Sequence, residues 1–282
     1  MAVQPLTIAR FRPPSLYHVW MLLAGFIWLV PVIWMFSLAL TPNDVLKRST
    51  TSLLPQSVTA DNFVAVFDVG LMGRWFTNSV VVTGAATFLT VAFCAMAGYA
   101  FAKIQFPGRR LVFVFVIAGL MVPKEAMFIP LFLLFSDADQ HNTYQALFLP
   151  RIAAPLGVFI MTQFFSKVPS EYEEAARMDG AGRWRIFFSV MLPLARPAMA
   201  SLAIFTFVLT WNDYLWPLVS ATKQEMFTIT TGLASLQGNF AQATELGALM
   251  ARGVVGSLPL LIVFLLFQRQ LIRGITLSSG EK

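Results

Sequence analysis

Charged residues are scarce in this chain of 282 residues: 12% are Asp, Glu, Lys or Arg, against 57% apolar. Soluble domains usually carry about 25% charged residues, so an ordinary soluble globule is excluded. Cys94 is the single cysteine, which excludes an intrachain disulfide and a cysteine-based metal site and leaves a small packed apolar residue. The two histidines, His18 and His141, lie far apart near expected membrane boundaries, so neither a catalytic triad nor a metal cluster has its parts. No Gly-x-x-x-x-Gly-Lys-Ser/Thr loop occurs to cradle phosphates with backbone amides, so the chain is expected to be no enzyme and to hold no cofactor of its own. The net charge of +6 is not gathered into a basic helix interleaved with aromatics, which argues against a nucleic-acid partner.

What is present is long uncharged runs. Val19 to Leu40 and Asn78 to Ala102 each exceed the roughly 20 residues that cross about 30 Å of hydrocarbon. The first is longer than a secretory h-region and leads into Thr41-Pro42-Asn43-Asp44 instead of a small-residue cleavage site, which reads as a retained helix. Four further spans carry interruptions: Leu111 to Phe135 at Pro123-Lys124-Glu125, Tyr144 to Phe165 with Arg151, Ala198 to Ser220 with Asp213, and Leu246 to Phe267 with Arg252. The expected fold class is an all-α integral membrane protein of six transmembrane helices, with a helical segment between the fourth and fifth. Residues 1–18 form an N-terminal segment, 19–268 the membrane domain and 269–282 a C-terminal tail.

Lys and Arg alternate along the connections. Arg10 and Arg12, then Lys103, Arg109 and Arg110, then Lys167, Arg177, Arg183, Arg185 and Arg196, then Arg269, Arg273 and Lys282 mark one side. Lys47, Arg48 and Arg74, then none, then Lys223 mark the other. The positive-inside rule predicts that both termini of this multi-pass protein lie in the cytoplasm.

The longest cytoplasmic connection is patterned. Ser170 with Glu173 reads as a capping box after Pro169, and Glu171, Glu173 and Glu174 suit the positive end of a helix beginning near Glu171. Ala175, Ala176 and Met178 continue it and Gly180 ends it. A second short helix is expected from Arg183 to Met191, with Trp184, Phe187 and Phe188 as an apolar ridge, before Pro193 and Pro197 redirect the chain. Two short amphipathic helices of this kind invite burial against a partner protein.

These residues carry a family resemblance. Glu174-Ala175-Ala176, then Gly180, then Val190-Met191-Leu192-Pro193 resembles the EAA motif of permease subunits in ABC importers. Asp179-Gly180-Ala181, Ala100-Phe101-Ala102-Lys103 with Phe106-Pro107-Gly108, Trp211-Asn212-Asp213-Tyr214-Leu215-Trp216-Pro217 and Gln268-Arg269 with Gly274 extend the likeness to the MalG-like subunits of carbohydrate ABC transporters. The resemblance implies that the stretch within 169–193 is a coupling segment docking into a cytoplasmic ATPase, with Glu171, Glu174, Ala175, Ala176, Asp179, Gly180, Ala181 and Arg183 at the interface and Glu174 as its best polar anchor. It also implies a second, MalF-like permease chain, two ATPase subunits that bind ATP and Mg, and an extracytoplasmic solute-binding protein. Alternating access driven by the ATPases is the implied mechanism. The C-terminal ending Leu277-Ser278-Ser279-Gly280-Glu281 departs from the glycine-rich family pattern.

Polar residues inside the spans have two readings each. Lys124 and Glu125 belong to the solute pathway or a gate, or else to the membrane boundary or an interhelical ion pair. Trp211, Asn212, Asp213 and Tyr214 suit stacking and hydrogen bonding to sugar rings, or else an aromatic belt at the outer interface. The outer stretch from Thr222 to Glu245 is expected to project as a loop, and by resemblance Gln237, Gly238 and Asn239 would face the solute-binding protein. A self-sufficient secondary transporter is the alternative; it calls for similar halves with buried ion-coupling carboxylates, and here one half alone carries the coupling segment.

Overall fold

In the computed structural model the described residues are 16–48, 53–55, 57–67, 70–236 and 245–278, with side chains described as far as 268. They are helical throughout, with no strand among them. In chain order the helices are α1 (Leu16–Ala39), α2 (Asn43–Leu46), α3 (Asp61–Phe67), α4 (Met72–Lys103), α5 (Arg109–Ala118), α6 (Phe128–Asp137), α7 (Tyr144–Ile152) and α8 (Pro155–Lys167). They continue as α9 (Glu171–Met178), α10 (Arg183–Ile186), a π turn over Phe187–Met191, α11 (Leu192–Leu194), α12 (Arg196–Trp211), α13 (Leu215–Ser220), α14 (Ile229–Ser235) and α15 (Leu246–Ser278).

Three helices, α1, α4 and α15, are long and apolar enough to cross a membrane unbroken, and three bent pairs raise the number to six if each pair is one span. The expected third span is cut: the helices Arg109–Met121 and Lys124–Asp137 meet at 98°. Pro123 has no amide hydrogen and forces Val122 out of the helical region, to φ −84° and ψ 117°. The expected fourth span bends by 46° between Ile152 and Pro155. The expected fifth, Ala198 to Ser220, consists of α12 and α13, separated at 212–214. The third bent pair joins α12 instead to Arg183–Leu194, at 74°. Pro193, inside α11, and Pro197, in the first turn of α12, flank this bend, so the chain is redirected there as expected.

The chain divides into two compact units, residues 1–66 with 242–254, and residues 67–241 with 255–282. In the first, Asn62 is a knot. Its Nδ2 donates to the carbonyls of Ala39 (2.9 Å) and Thr41 (2.8 Å), and its Oδ1 accepts from Asn43 Nδ2 (3.1 Å). Asn43 Oδ1 in turn accepts the amide of Gly247 (2.9 Å), whose missing side chain lets Asn62 approach; a Cβ there would lie 2.4 Å from Asn62 Nδ2. α1 itself is apolar all round and almost wholly exposed along its length. Such a helix needs lipid or another chain around it.

The second unit is built on α4, which packs along α8, α12 and α7. Glycines set the closest seam: a Cβ at Gly98 would lie 2.5 Å from Met161 Cβ, and one at Gly157 would lie 2.6 Å from Cys94 Sγ. Small residues let helix backbones approach where no hydrophobic force separates protein from solvent. Val91, Ala95, Tyr99, Met161, Phe165 and Leu202 fill the buried core around this seam.

Candidate functional site

The segment between α8 and α12 is mounted rigidly on that core. The Lys103 ammonium, at the end of α4, donates to the Val168 carbonyl just beyond α8, placing a cation at the negative end of that helix. α9 starts at Glu171, as the acidic first turn predicts, but the capping box is not formed. Ser170 has helical φ and ψ and its hydroxyl caps nothing, while Glu173 turns inward. The Glu173 side chain is 7% exposed and its Oε2 accepts from Arg177 Nη2 at 3.1 Å, one turn on. Its Oε1 is buried, and Tyr99 of α4 lies beside the carboxylate, close enough to interact with it.

The C-terminal end of α9 is closed as the sequence predicts. Gly180 sits at φ +76°, its amide donates to Arg177 O and the Ala181 amide to Ala176 O, both at 2.9 Å. This is the paired-bond stop in which a left-handed residue satisfies the last carbonyls, and glycine adopts it without a Cβ clash. Ala176 and Ala181 are half-buried against the core, with Ile186, Phe187 and Met191 fully inside it.

The other face points outward. Glu171, Glu174, Ala175, Asp179, Gly180 and Arg183 are exposed. Large apolar side chains share that exposure, among them Met178 at 89%, Trp184 at 69% and Phe188 at 55%. The expected ridge of Trp184, Phe187 and Phe188 is thus split. Trp184 and Phe188, four residues apart, stack at 6.0 Å, whereas Phe187 turns inward onto Tyr99 at 5.2 Å. Residues i and i+4 share a helix face and i+3 can drift inward, which the π turn from Phe187 accentuates. Met178, seven residues from Glu171 and four from Glu174, shares their face, a placement its spacing alone makes legible.

The second cluster behaves differently. Trp211 is buried, donates from Nε1 to Gly256 O (3.0 Å) and stacks on Phe207 at 5.7 Å, so it offers no open face to a sugar. Asp213 pairs with Arg151 of α7, in the expected fourth span. Asn212 is exposed with its Nδ2 folded back onto Val208 O (3.0 Å), and Tyr214 is 38% exposed. Only Asn212 and Tyr214 of this set remain open. Lys124 and Glu125 are exposed at the 98° bend and form no ion pair among the described residues.

The stretch from Thr222 does not project over its described part. Trp75 Nε1 donates to Gln224 O (2.7 Å), Asn78 Nδ2 to Glu225 O and Phe227 O (2.8 and 2.9 Å), and the Ile229 amide to Ser79 Oγ (2.7 Å). Asn142 clamps its start, accepting from the amides of Thr222 and Lys223 at 2.8 Å. The first turns of α4 therefore act as a cradle for 222–229, and Gln237, Gly238 and Asn239 lie outside the described residues.

Comparison with known proteins agrees with this architecture. The chain is 37% identical to an arabinooligosaccharide transport system permease protein of Halalkalibacterium halodurans, over 92% of this chain and 95% of that one. It is 34% identical to a lactose transport system permease protein of Rhizobium radiobacter, over 95% and 97%. A trehalose/maltose transport system permease protein of Thermococcus litoralis is 32% identical, over 92% and 93%. The fold matches a chain of a bacterial ABC transporter that imports the acidic polysaccharide alginate, with a TM-score of 0.77 at 24% identity, covering 90% of this chain and 94% of that one. Residues 92–277 match the model of the binding-protein-dependent transport system inner membrane component, and the chain belongs to that family of ABC importer permease subunits.

Proposed function

We propose that this permease passes a sugar or related polyol inward, forming half of the pathway with a second, MalF-like chain, and that the exposed face of α9 and α10 docks into a cytoplasmic ATPase. The observation that carries the reading is the two-faced segment. Glu173, Ala176, Ala181, Ile186 and Phe187 fasten it to the core that holds α4 and α8, while Glu171, Glu174, Ala175, Met178, Asp179, Arg183 and Trp184 stand free. A partner gripping the free face moves the spans through the fastened one. ATP and Mg bind in two such ATPase subunits, whose closure switches the spans between inward-open and outward-open.

The alternation of Lys and Arg supports six spans with both termini in the cytoplasm, residues 19–268 forming the membrane domain. Under this reading each bent pair is accommodated within the assembled pathway, since irregular backbone at membrane depth is tolerated where protein or a water-filled cavity surrounds it. Lys124 and Glu125 at the 98° bend, with Asn212 and Tyr214, are the pathway candidates. Carbohydrate as the solute follows from the relatives, whose names specify arabinooligosaccharides, lactose and trehalose or maltose. An extracytoplasmic binding protein delivers it, with Gln237, Gly238 and Asn239 as proposed contacts. The membership of the family and these relatives set aside a self-sufficient secondary transporter.

The test is Glu174→Arg in the assembled transporter, reading co-purification of the ATPase and its stimulation by binding protein loaded with a maltose, lactose or arabinooligosaccharide panel. Loss of both with normal membrane insertion is expected. Unchanged docking and stimulation would remove α9 from the interface.

A further inference from the structure

The Arg151–Asp213 ion pair joins two places where helices are broken. Arg151 lies in the last turn of α7, just before the 46° bend to α8, and Asp213 lies in the break between α12 and α13. Their side chains are 18% and 10% exposed. Each backbone is held by a threonine from another helix: Thr90 Oγ1 of α4 donates to Arg151 O at 3.2 Å, and Thr230 Oγ1 of α14 donates to Asp213 O at 2.8 Å. Both breaks are thereby tied to each other and to fixed neighbours.

Stability alone does not account for charges here. A buried ion pair is on balance no more stabilising than an apolar pair of the same volume, because desolvation offsets the attraction. What an ion pair adds is dependence on water: the attraction is strong in a dry, low-dielectric site and falls steeply when water enters. In the permease reading Asn212 and Tyr214, exposed on either side of Asp213, face the pathway, from which water would reach the pair. An apolar pair would hold the breaks equally in both conditions.

We propose that Arg151 and Asp213 form a latch that holds the two helix breaks together while their surroundings are dry and releases them when the pathway hydrates, so that both bend in concert during the transport cycle. The proposal rests on the permease reading above. Arg151 is on this account a positioning residue acting through Asp213 on the flanking pathway candidates Asn212 and Tyr214.

The test uses the full transporter in proteoliposomes and compares the wild-type pair with Arg151→Met/Asp213→Leu. An Asn212→Cys reporter in a Cys94→Ser background is labelled by a membrane-impermeant maleimide, with and without vanadate-trapped nucleotide, and hydrolysis is measured without solute. With the latch, the apolar pair assembles normally, loses the nucleotide dependence of labelling because it never releases, and hydrolyses ATP about five- to tenfold more slowly. An assembled apolar pair with wild-type labelling and hydrolysis overturns the latch and leaves a structural tie. Should that variant fail to assemble, the charge exchange Arg151→Asp/Asp213→Arg decides: recovery of nucleotide-dependent labelling relative to either single change supports the latch, and assembly without recovery overturns it. Labelling in the wild type that ignores the ATPase altogether counts against the coupling reading instead.

Discussion

The segment from Glu171 to Phe188 and the cluster from Trp211 to Tyr214 look alike in sequence, each mixing carboxylates with aromatics and each flanked by proline. In space they are opposites. The first keeps one carboxylate, Glu173, inside and presents Glu171, Glu174, Trp184 and Phe188 outward. The second turns its largest aromatic and its carboxylate inward, Trp211 against Phe207 and Gly256 and Asp213 against Arg151. The difference lies in where a partner is available. An unpaired carboxylate costs little at an aqueous face, but at membrane depth it must find a cation or water. Motif composition alone therefore does not separate an outward face from a buried brace.

Substitutions can break that contrast in order of expected effect on the folded permease. Asp213→Leu alone strands Arg151 and should cost about 3–5 kcal/mol, read as loss of detergent-solubilised protein on heating. Gly98→Leu drives a side chain into Met161 and the backbone at Thr162, and should cost about 1–3 kcal/mol, whereas Gly73→Ala, with open space around it, should be neutral in the same assay. Gly180→Ala forces a Cβ into the left-handed region and should cost about 1 kcal/mol, loosening the stop of α9. Trp184→Ala with Phe188→Ala should leave thermal stability within about 0.5 kcal/mol, since both are exposed, while reducing ATPase co-purification. If the last pair destabilises as much as the first change, the outward face is structural and the contrast fails.

Much of the first region could be read from the chain itself. Glu171 as the start and Gly180 as the stop of α9 follow from local chemistry, because an acidic first turn and a left-handed glycine act within a few residues. The capping box was misleading because Glu173 finds Arg177 one turn away and a place inside, which outweighs a bond back to the entry of the helix. The second region was not legible in the same way. Arg151 and Asp213 are 62 residues apart, and no local pattern announces their pairing. Pro123 marks an interruption in sequence, yet the 98° angle depends on what Lys124–Met127 does next as a short 3-10 turn. Over 222–229 the chain is cradled instead of projecting, for a related reason: Trp75, Asn78 and Ser79 look like the ordinary outer end of a span, and their role as a cradle needs a stretch of chain about 150 residues later.

α1 raises a separate question of orientation. With apolar residues on every side, nothing along its own length distinguishes one rotation about its axis from another. The distinction is made at its end, where Asn62, 23 residues beyond Ala39, seizes the carbonyls of Ala39 and Thr41 and is itself indexed by Asn43 against Gly247. Asn62 works as a key in a slot: it sets the rotational phase of a helix that carries no phase mark of its own.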